Sequence, residues 1–218
     1  MKLPKILKRV LTAGLAVAMA IGVAGCGGDG TKTETFLNIA TGGTAGVYYP
    51  IGNAISEIIN SEVEGVNASA QSTGASIANI NMLQEGQVEM AIVQNDITYY
   101  AVNGQDMFDK KFENLRGIAS LYPETVQFVT TVDSGINSIL DLEDKRVAVG
   151  VKGSGVEANV KQILQAYGLT YDDIDEQFLS FAEGANALKD GTVDVACVTA
   201  GYPTASIQDV ASQKNIRL

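Results

Sequence analysis

From about residue 35 to the C-terminus, short apolar runs alternate with longer segments whose apolar residues recur every three to four positions. The short runs are typical of strands, and the longer spacing is typical of one-sided helices. Regular alternation of the two predicts an α/β fold with largely parallel sheets. The predicted strands cover 36–40, 66–71, 89–93, 115–121, 127–132, 146–150, 177–180, 193–198 and 216–218.

Between these strands the helical spacing is most regular after Pro50, which suits a first helical turn. Ile51, Ile55, Ile58 and Ile59 follow it and are predicted to form the buried face of that helix. The further predicted helices cover about 77–83, 97–102, 139–142, 156–167, 181–189 and 204–211.

The first 34 residues have a different pattern. A basic segment, 2–9, precedes an apolar run of 15 residues, 10–24, which is short for a spanning helix of about 20 residues. The run ends in Val-Ala-Gly-Cys and resembles a bacterial lipobox, so we expect a lipoprotein signal peptide at 1–25, lipidation of Cys26 and a flexible tether at 26–34. The alternatives are an ordinary signal peptide with a chance cysteine, and a retained membrane anchor.

Charge and composition exclude several classes of function. Four of the 15 basic residues precede Cys26 and none of the 25 acidic ones does, so the remainder carries 11 basic against 25 acidic residues, a net charge of −14. A body this acidic disfavours nucleic acid as a partner. The absence of histidine excludes His-based zinc sites and Ser-His-Asp or Cys-His nucleophiles. We therefore expect no catalytic residue, no metal and no cofactor.

Cys197 stands alone if Cys26 carries lipid, so no intramolecular disulfide is expected. It lies in an apolar, strand-like run at 193–198. Without a histidine to activate it, a buried structural thiol is favoured over a reactive one.

Two glycine-rich loops, 41–46 and 150–155, each follow a predicted strand and precede a helix. Ligands of open parallel sheets bind at that end of the strands, often on helix N-termini. Neither loop is a nucleotide motif, since Thr41 replaces the first glycine of GxGxxG, and Val156-Glu157 replaces the Lys-Ser/Thr of a P-loop. Ser154 and Glu157 also match a capping box, so helix capping is the structural alternative for the second loop.

Other polar residues have comparable alternatives. The tyrosine pairs at 48–49 and 99–100 suit a cleft or the core equally, and Asp96 suits a cleft or a helix cap. Segment 72–76 follows the second strand and is similarly placed. Arg116 and Arg146 lie at predicted strand starts, away from the ligand end, and are interpreted as structural.

Six segments, in order, resemble the TAXI family of solute receptors for tripartite ATP-independent (TRAP) transporters. Each segment is weak alone, but together they span about 35–218. They are 39–50 (IATGGTAGVYYP), 71–76 (QSTGAS), 91–96 (AIVQND), 121–124 (LYPE), 147–150 (VAVG) with 153–155 (GSG), and 200–203 (AGYP).

The resemblance implies a two-lobed α/β fold like that of type II periplasmic binding proteins, with lobe one at 35–124 and lobe two at 125–218. Family members are longer, so we expect a chain cut short before it returns to lobe one. Ala75 replaces an expected glycine, and Val156 replaces an expected threonine. The predicted ligand contacts are Thr41, Gly43, Gly46, Tyr48, Asn95, Gly153, Ser154, Gly155 and Glu157.

The implied function is that of an extracytoplasmic receptor, lipid-anchored through Cys26. It would capture a small organic anion or an amino acid, glutamate-like by analogy, and deliver it to TRAP-type permease subunits. The alternative is a lipoprotein sensor coupled to a membrane signalling protein. An enzyme is the weakest hypothesis, because no activated nucleophile is visible.

Overall fold

A computed structural model of the chain describes residues 34–218. The predicted signal peptide, the lipidation site at Cys26 and the tether up to residue 33 lie outside the described residues. Within 34–218, no helix has the length and apolarity needed to cross a membrane.

The described residues form six α-helices and eight strands, which alternate except between the fourth and fifth strands, where only short 3₁₀ segments intervene. The helices are α1 (Tyr48–Glu62), α2 (Ser76–Gln84), α3 (Asn95–Asn103), α4 (Gly155–Ala166), α5 (Phe181–Asp190) and α6 (Ala205–Ala211). The strands are β1 (Thr35–Ala40), β2 (Val66–Gln71), β3 (Met90–Ala91), β4 (Thr125–Thr131), β5 (Arg146–Ala148), β6 (Asp175–Gln177), β7 (Val195–Ala200) and β8 (Ile216–Arg217).

The first sheet has the order β2-β1-β3, and all of its strands are parallel. Six residue pairs join β1 to β2, from Thr35 opposite Val66 to Ala40 opposite Gln71. Since parallel neighbours need crossover connections, α1 and α2 follow from the topology.

The second sheet has the order β6-β5-β7-β4-β8 and is mixed. Strands β6, β5 and β7 are parallel, whereas β4 runs antiparallel to both β7 and β8. The predicted largely parallel arrangement is therefore wrong for this sheet at β4. Its reversed direction places the start of β4 beside the carboxyl end of β7, where Thr125 is opposite Ala200.

Apolar side chains fill the space between the second sheet and its helices. Val147, Val160 and Leu164 are completely buried between β5 and α4, and Cys197 of β7 belongs to the same cluster. Cys197 is a free, buried thiol, as the sequence predicts, and burial raises its pKa. It is therefore a core residue, protonated at neutral pH.

Helix α1 differs from its prediction in which side chains it buries. Tyr48, Gly52 and Ser56 are buried, four residues apart, while Ile58 is 62% exposed. A Cβ built at Gly52 would overlap the Thr41 side chain and lie 3.3 Å from the Ala70 Cβ. Small residues thus allow α1 to approach β1 and β2 closely.

One further prediction is wrong. Segment 115–121 forms no strand, and Ile118 within it is 77% exposed. Its apolar composition has strand propensity, but no neighbouring strand of the described residues pairs with it. The short helix predicted at 139–142 is present, as a 3₁₀-helix over Ile139–Leu142.

Arg146 has the predicted structural role. It begins β5, and its Nη2 lies 2.6 Å from Asp194 Oδ1, while its Nε donates to Asp194 Oδ2 over 3.0 Å. This bidentate pair joins the starts of two neighbouring parallel strands, β5 and β7. Arg116, in contrast, begins no strand and donates to the carbonyls of Glu113 and Leu115.

The packing of α1 predicts that Gly52→Ala destabilises the fold. The added methyl would overlap Thr41, and overpacking of this kind costs about 1–3 kcal/mol. Gly184→Ala in α5 is the matched control, because its Cβ would meet Ala148 and Ala196 at ordinary contact distances of 3.4 and 3.7 Å. We expect the control to be neutral or stabilising by about 0.5–1 kcal/mol. Urea unfolding of both variants checks this, and equal effects would contradict it.

Candidate functional site

One edge of each sheet collects the loops that begin helices. In the first sheet, the loops after β1, β2 and β3 lead into α1, α2 and α3. In the second sheet, the loops after β5 and β6 lead into α4 and α5, and the reversed β4 starts at the same edge. Helix N-termini and strand ends from both sheets therefore meet around one cavity.

This cavity has a volume of about 310 Å³ and takes residues from every one of these loops. Its lining residues are Gly42, Gly43, Thr44, Ala45, Gly46, Tyr48, Ser72, Thr73, Gly74, Ala75, Gln94, Glu124, Val151, Ser154, Val156, Ser180, Phe181, Ala182 and Thr199.

Hydrogen bonds hold the two loops of the first sheet together. Thr41 is completely buried behind the cavity, and its Oγ1 donates to the Gln71 carbonyl over 2.6 Å. Ser72 donates to the Gly42 carbonyl over 3.0 Å, and Thr73 to the Thr41 carbonyl over 2.9 Å. The glycine-rich loop is thus fixed from behind, while its glycines face the cavity.

Ala75 lines the cavity with a strained backbone. Its φ of 68° and ψ of −151° fall in a region that is essentially restricted to glycine. The family resemblance implies glycine at this position, and the backbone conformation gives the physical reason. The methyl group narrows the cavity at a conformational cost of about 1–3 kcal/mol.

A buried polar network joins the first sheet's loops to helix α4. Gln94 lines the cavity, and its Nε2 donates to Asn159 Oδ1 over 2.8 Å. Asn159 in turn donates to Asp96 Oδ2 over 2.8 Å and accepts from Thr199 Oγ1 over 3.1 Å. A Cβ at Gly155 would collide with Gln94, so the absence of a side chain there permits the contact.

Serine caps shape the second sheet's side of the cavity. Ser154 accepts from the Glu157 amide at the start of α4, and Ser180 forms a capping box with Glu183 at the start of α5. Both serines line the cavity. The positive ends of these helix dipoles are therefore at the cavity, where they would favour an anionic group.

Glu124, the residue before β4, lies at the cavity wall between two tyrosines. Tyr48 donates to its Oε2 over 2.9 Å, and Tyr122 donates to its Oε1 over 3.4 Å. Burial raises the pKa of Glu124, although both hydrogen bonds oppose this, and nearby Asp96 raises it further. Burial and the Glu124 charge also raise the pKa of both tyrosines, which stay protonated donors.

The structure brings together only part of the predicted contact set. Gly43, Gly46, Tyr48 and Ser154 line the cavity. The other five predicted residues do not line it; they are Thr41, Asn95, Gly153, Gly155 and Glu157.

Local contacts explain these other positions. Asn95 is exposed at the start of α3, and Gly155 packs on Gln94. The Glu157 carboxylate accepts from the Tyr171 hydroxyl over 3.2 Å instead of returning to the helix cap. The Ser-x-x-Glu motif is therefore only half a capping box. Ligand contact by each of the nine residues stays a prediction.

Several lining residues were not among the predicted contacts: Ser72, Gln94, Glu124, Ser180, Phe181 and Thr199. Ser72 directly follows β2, and Gln94 and Ser180 come three residues after β3 and β6, so their positions carried some signal. The Ser180-x-x-Glu183 spacing marked a helix start beside a strand end. Glu124 had no such signal, because only the antiparallel pairing of β4 brings it to this edge.

Metal binding finds no support in the part of the chain that the structure describes. No group of three or more His, Cys, Asp or Glu residues within 34–218 has the arrangement needed to hold an ion. The arrangement instead offers hydroxyls, helix N-termini and one carboxylate, which suits non-covalent binding of a small polar molecule.

Comparison with known proteins gives a family and a fold. Residues 39–218 match the model of the NMT1-like family. The alkanesulfonate-binding protein from Xanthomonas axonopodis pv. citri, bound to MOPS, is similar with 18% identity and a TM-score of 0.51, over 76% of this chain and 54% of that one. A protein from Bordetella bronchiseptica RB50 shares 19% identity with a TM-score of 0.61, over 84% and 56%.

A third solved structure, an L-cystine ABC transporter protein from Listeria monocytogenes, shares 17% identity with a TM-score of 0.58, over 84% of this chain and 76% of that one. At these identities the likeness shows the fold, which is that of type II periplasmic binding proteins, as the resemblance in the sequence implies. The chain spans little more than half the length of the first two structures.

The strain at Ala75 predicts that Ala75→Gly stabilises the ligand-free fold. Glycine adopts a φ of 68° without strain. The free energy gained by removing this strain exceeds the entropic cost that glycine adds in the unfolded chain, so the variant should be more stable by about 1 kcal/mol. Ala78→Gly, one turn into α2, is the matched control and should lose about 1 kcal/mol. Urea unfolding distinguishes the two, and a loss of stability in both variants would show that Ala75 is not strained.

The environment of Glu124 predicts an unusual pH dependence. Its pKa is higher in the folded than in the unfolded chain, so its ionisation lowers the free energy of unfolding as the pH rises from about 4.5 through the raised pKa. Relative to wild type, Glu124→Gln should therefore gain stability across this window. Urea unfolding between pH 4 and 8 measures the change.

Glu183→Gln is the control of opposite sign. The Ser180 hydrogen bonds lower the pKa of Glu183, so this carboxylate adds stability above about pH 4.5 that is lost in acid. The variant should therefore lose stability relative to wild type as the pH rises from below the lowered pKa to about 4.5, so urea unfolding of this control starts at about pH 2. The same trend in both variants would contradict the assignment at Glu124.

Proposed function

The chain belongs to the NMT1-like family, and we propose on that premise that it is an extracytoplasmic solute-binding receptor. The observation that carries the proposal is the cavity at which the helix-starting loops of both sheets meet. Open α/β sheets bind ligands at this end of their strands. The relatives named above as an alkanesulfonate-binding protein and an L-cystine ABC transporter protein support a role in solute capture.

A small organic anion or an amino acid is the proposed ligand class. The cavity of about 310 Å³ is at the lower end of ligand pockets, which span about 300–1,000 Å³. Backbone N–H groups at helix starts, together with Ser154 and Ser180, would hold an acid group without an arginine. Binding rather than catalysis is proposed, because the lining offers no activated nucleophile.

Binding would be coupled to closure of two lobes, 35–124 and 125–218. The strands of the first sheet lie within the first range and those of the second sheet within the second. A ligand held by loops of both sheets favours the closed arrangement by its extra contacts there. The Gln94–Asn159 hydrogen bond would belong to the closed state.

A membrane permease is the proposed partner, and a lipid on Cys26 is the proposed anchor. The six segments that resemble the TAXI family favour a TRAP-type permease, with a glutamate-like ligand by the same analogy. One of the solved structures named above is an ABC transporter protein, so the fold is compatible with either kind of permease.

Ligand binding should raise the melting temperature and compact the chain. At a ligand concentration of 100 times Kd the stabilisation is about 2.7 kcal/mol, because only the folded state binds. Thermal unfolding against amino acids, dicarboxylates and sulfonates measures the first effect, and small-angle scattering measures the second. Gly43→Trp, which would fill the cavity from an open position, should abolish both effects. Absence of any shift across all three classes would contradict the proposal.

A further inference from the structure

The charge on the cavity lining is negative only. Among the 19 described residues that line it, Glu124 alone has a charged side chain, and no lysine or arginine is present. Within 34–218, no basic side chain forms an ion pair with Glu124. A half-buried carboxylate without a cationic partner is costly, so its presence in a binding cavity requires a reason.

The hydrogen bonds of Glu124 leave it able to accept more. Each carboxylate oxygen receives one tyrosine hydroxyl, from Tyr48 or Tyr122, whereas an ionised carboxylate has about four acceptor positions. The two tyrosines fix the group in place but bring no charge. The remaining acceptor positions suit N–H donors of a positively charged nitrogen, the strong kind of hydrogen bond.

An acid without such a nitrogen meets an unfavourable site. Its anion would lie in the same small cavity as the Glu124 carboxylate, and like charges at short range repel strongly where water is sparse. The helix N-termini with Ser154 and Ser180 attract an acid group, but they do not cancel Glu124. A ligand that carries both an acid group and an ammonium satisfies both parts of the lining.

We propose that Glu124 is the receptor for an ammonium group, so that the cavity selects amino acids or aminosulfonates over the corresponding acids without nitrogen. This inference rests on the proposed function and narrows it, because a simple organic anion is then excluded. Tyr48 and Tyr122 act as positioning residues that orient the carboxylate.

Matched ligand pairs test the proposal on the full chain. L-Glutamate is compared with glutarate, L-alanine with propionate, and taurine with ethanesulfonate, since the members of each pair differ only in the amino group. Calorimetric titration at pH 7 should show that the amino member of at least one pair binds at least about tenfold more tightly, which corresponds to about 1.4 kcal/mol.

The same pairs are then measured on variants. Glu124→Gln should lose this preference, because the amino member weakens while the member without nitrogen does not. Glu124→Asp keeps the negative charge but moves it away from the cavity by the length of one methylene group, and should retain part of the preference. Glu143→Gln, an exposed carboxylate outside the cavity, should match the wild type. Melting curves without ligand verify that each variant is folded.

The outcomes separate the inference from the proposed function. If a member without nitrogen binds as tightly as its amino partner, or if Glu124→Gln keeps the preference, the inference is wrong while solute binding stands. If no member of any pair binds, both are overturned. The preference of the wild type alone decides the question should Glu124→Gln fail to fold.

Discussion

The hydrogen bond between Gln94 and Asn159 is the contact on which the site depends. It joins the loop after β3 of the first sheet to helix α4 of the second, and both side chains are buried. Asn159 also donates to Asp96 and accepts from Thr199, so the contact is part of a network of buried side chains rather than an isolated bond. In the proposed closed state this network fixes how the two sheets face each other, and the cavity lies where their loops meet.

Around that contact, the cavity wall contains features that reduce the stability of the empty fold. Ala75 holds a backbone conformation that suits glycine, and Glu124 is half-buried without a cation. Neither residue belongs to the apolar clusters of the second sheet. Backbone strain and uncompensated charge are concentrated at functional sites, where ligand binding can offset their free-energy cost. The strain at Ala75 and the unpaired charge of Glu124 both destabilise the empty fold at the same cavity wall. Both therefore favour a ligand-binding site there, as the geometry does.

The sequence predicts the helices and strands better than it predicts which of them pair or pack together. Helix α5 follows from Ser180 and Glu183, and the thiol of Cys197 is buried as its apolar strand suggests. These results depend on residues close together in the chain. Segment 115–121 has the same strand-like composition, yet it forms no strand, since pairing needs a partner that composition does not reveal. The face of α1 was mistaken for a similar reason, because Gly52 is buried by the approach of Thr41 rather than by its own hydrophobicity.

The candidate site shows the same division between local and distant information. Gly43, Gly46 and Ser154 follow parallel strands, so the rule for open sheets finds them without a structure. Glu124 precedes a strand and would lie at the opposite edge if β4 were parallel to β7. Its direction is fixed by pairing with residues 195–200, about 70 positions away. The residue with the strongest influence on ligand charge is thus the one whose position depends most on tertiary pairing. A reading of the glycine-rich loops alone favours an anion, whereas the complete wall, with its one carboxylate, favours a ligand that carries both charges.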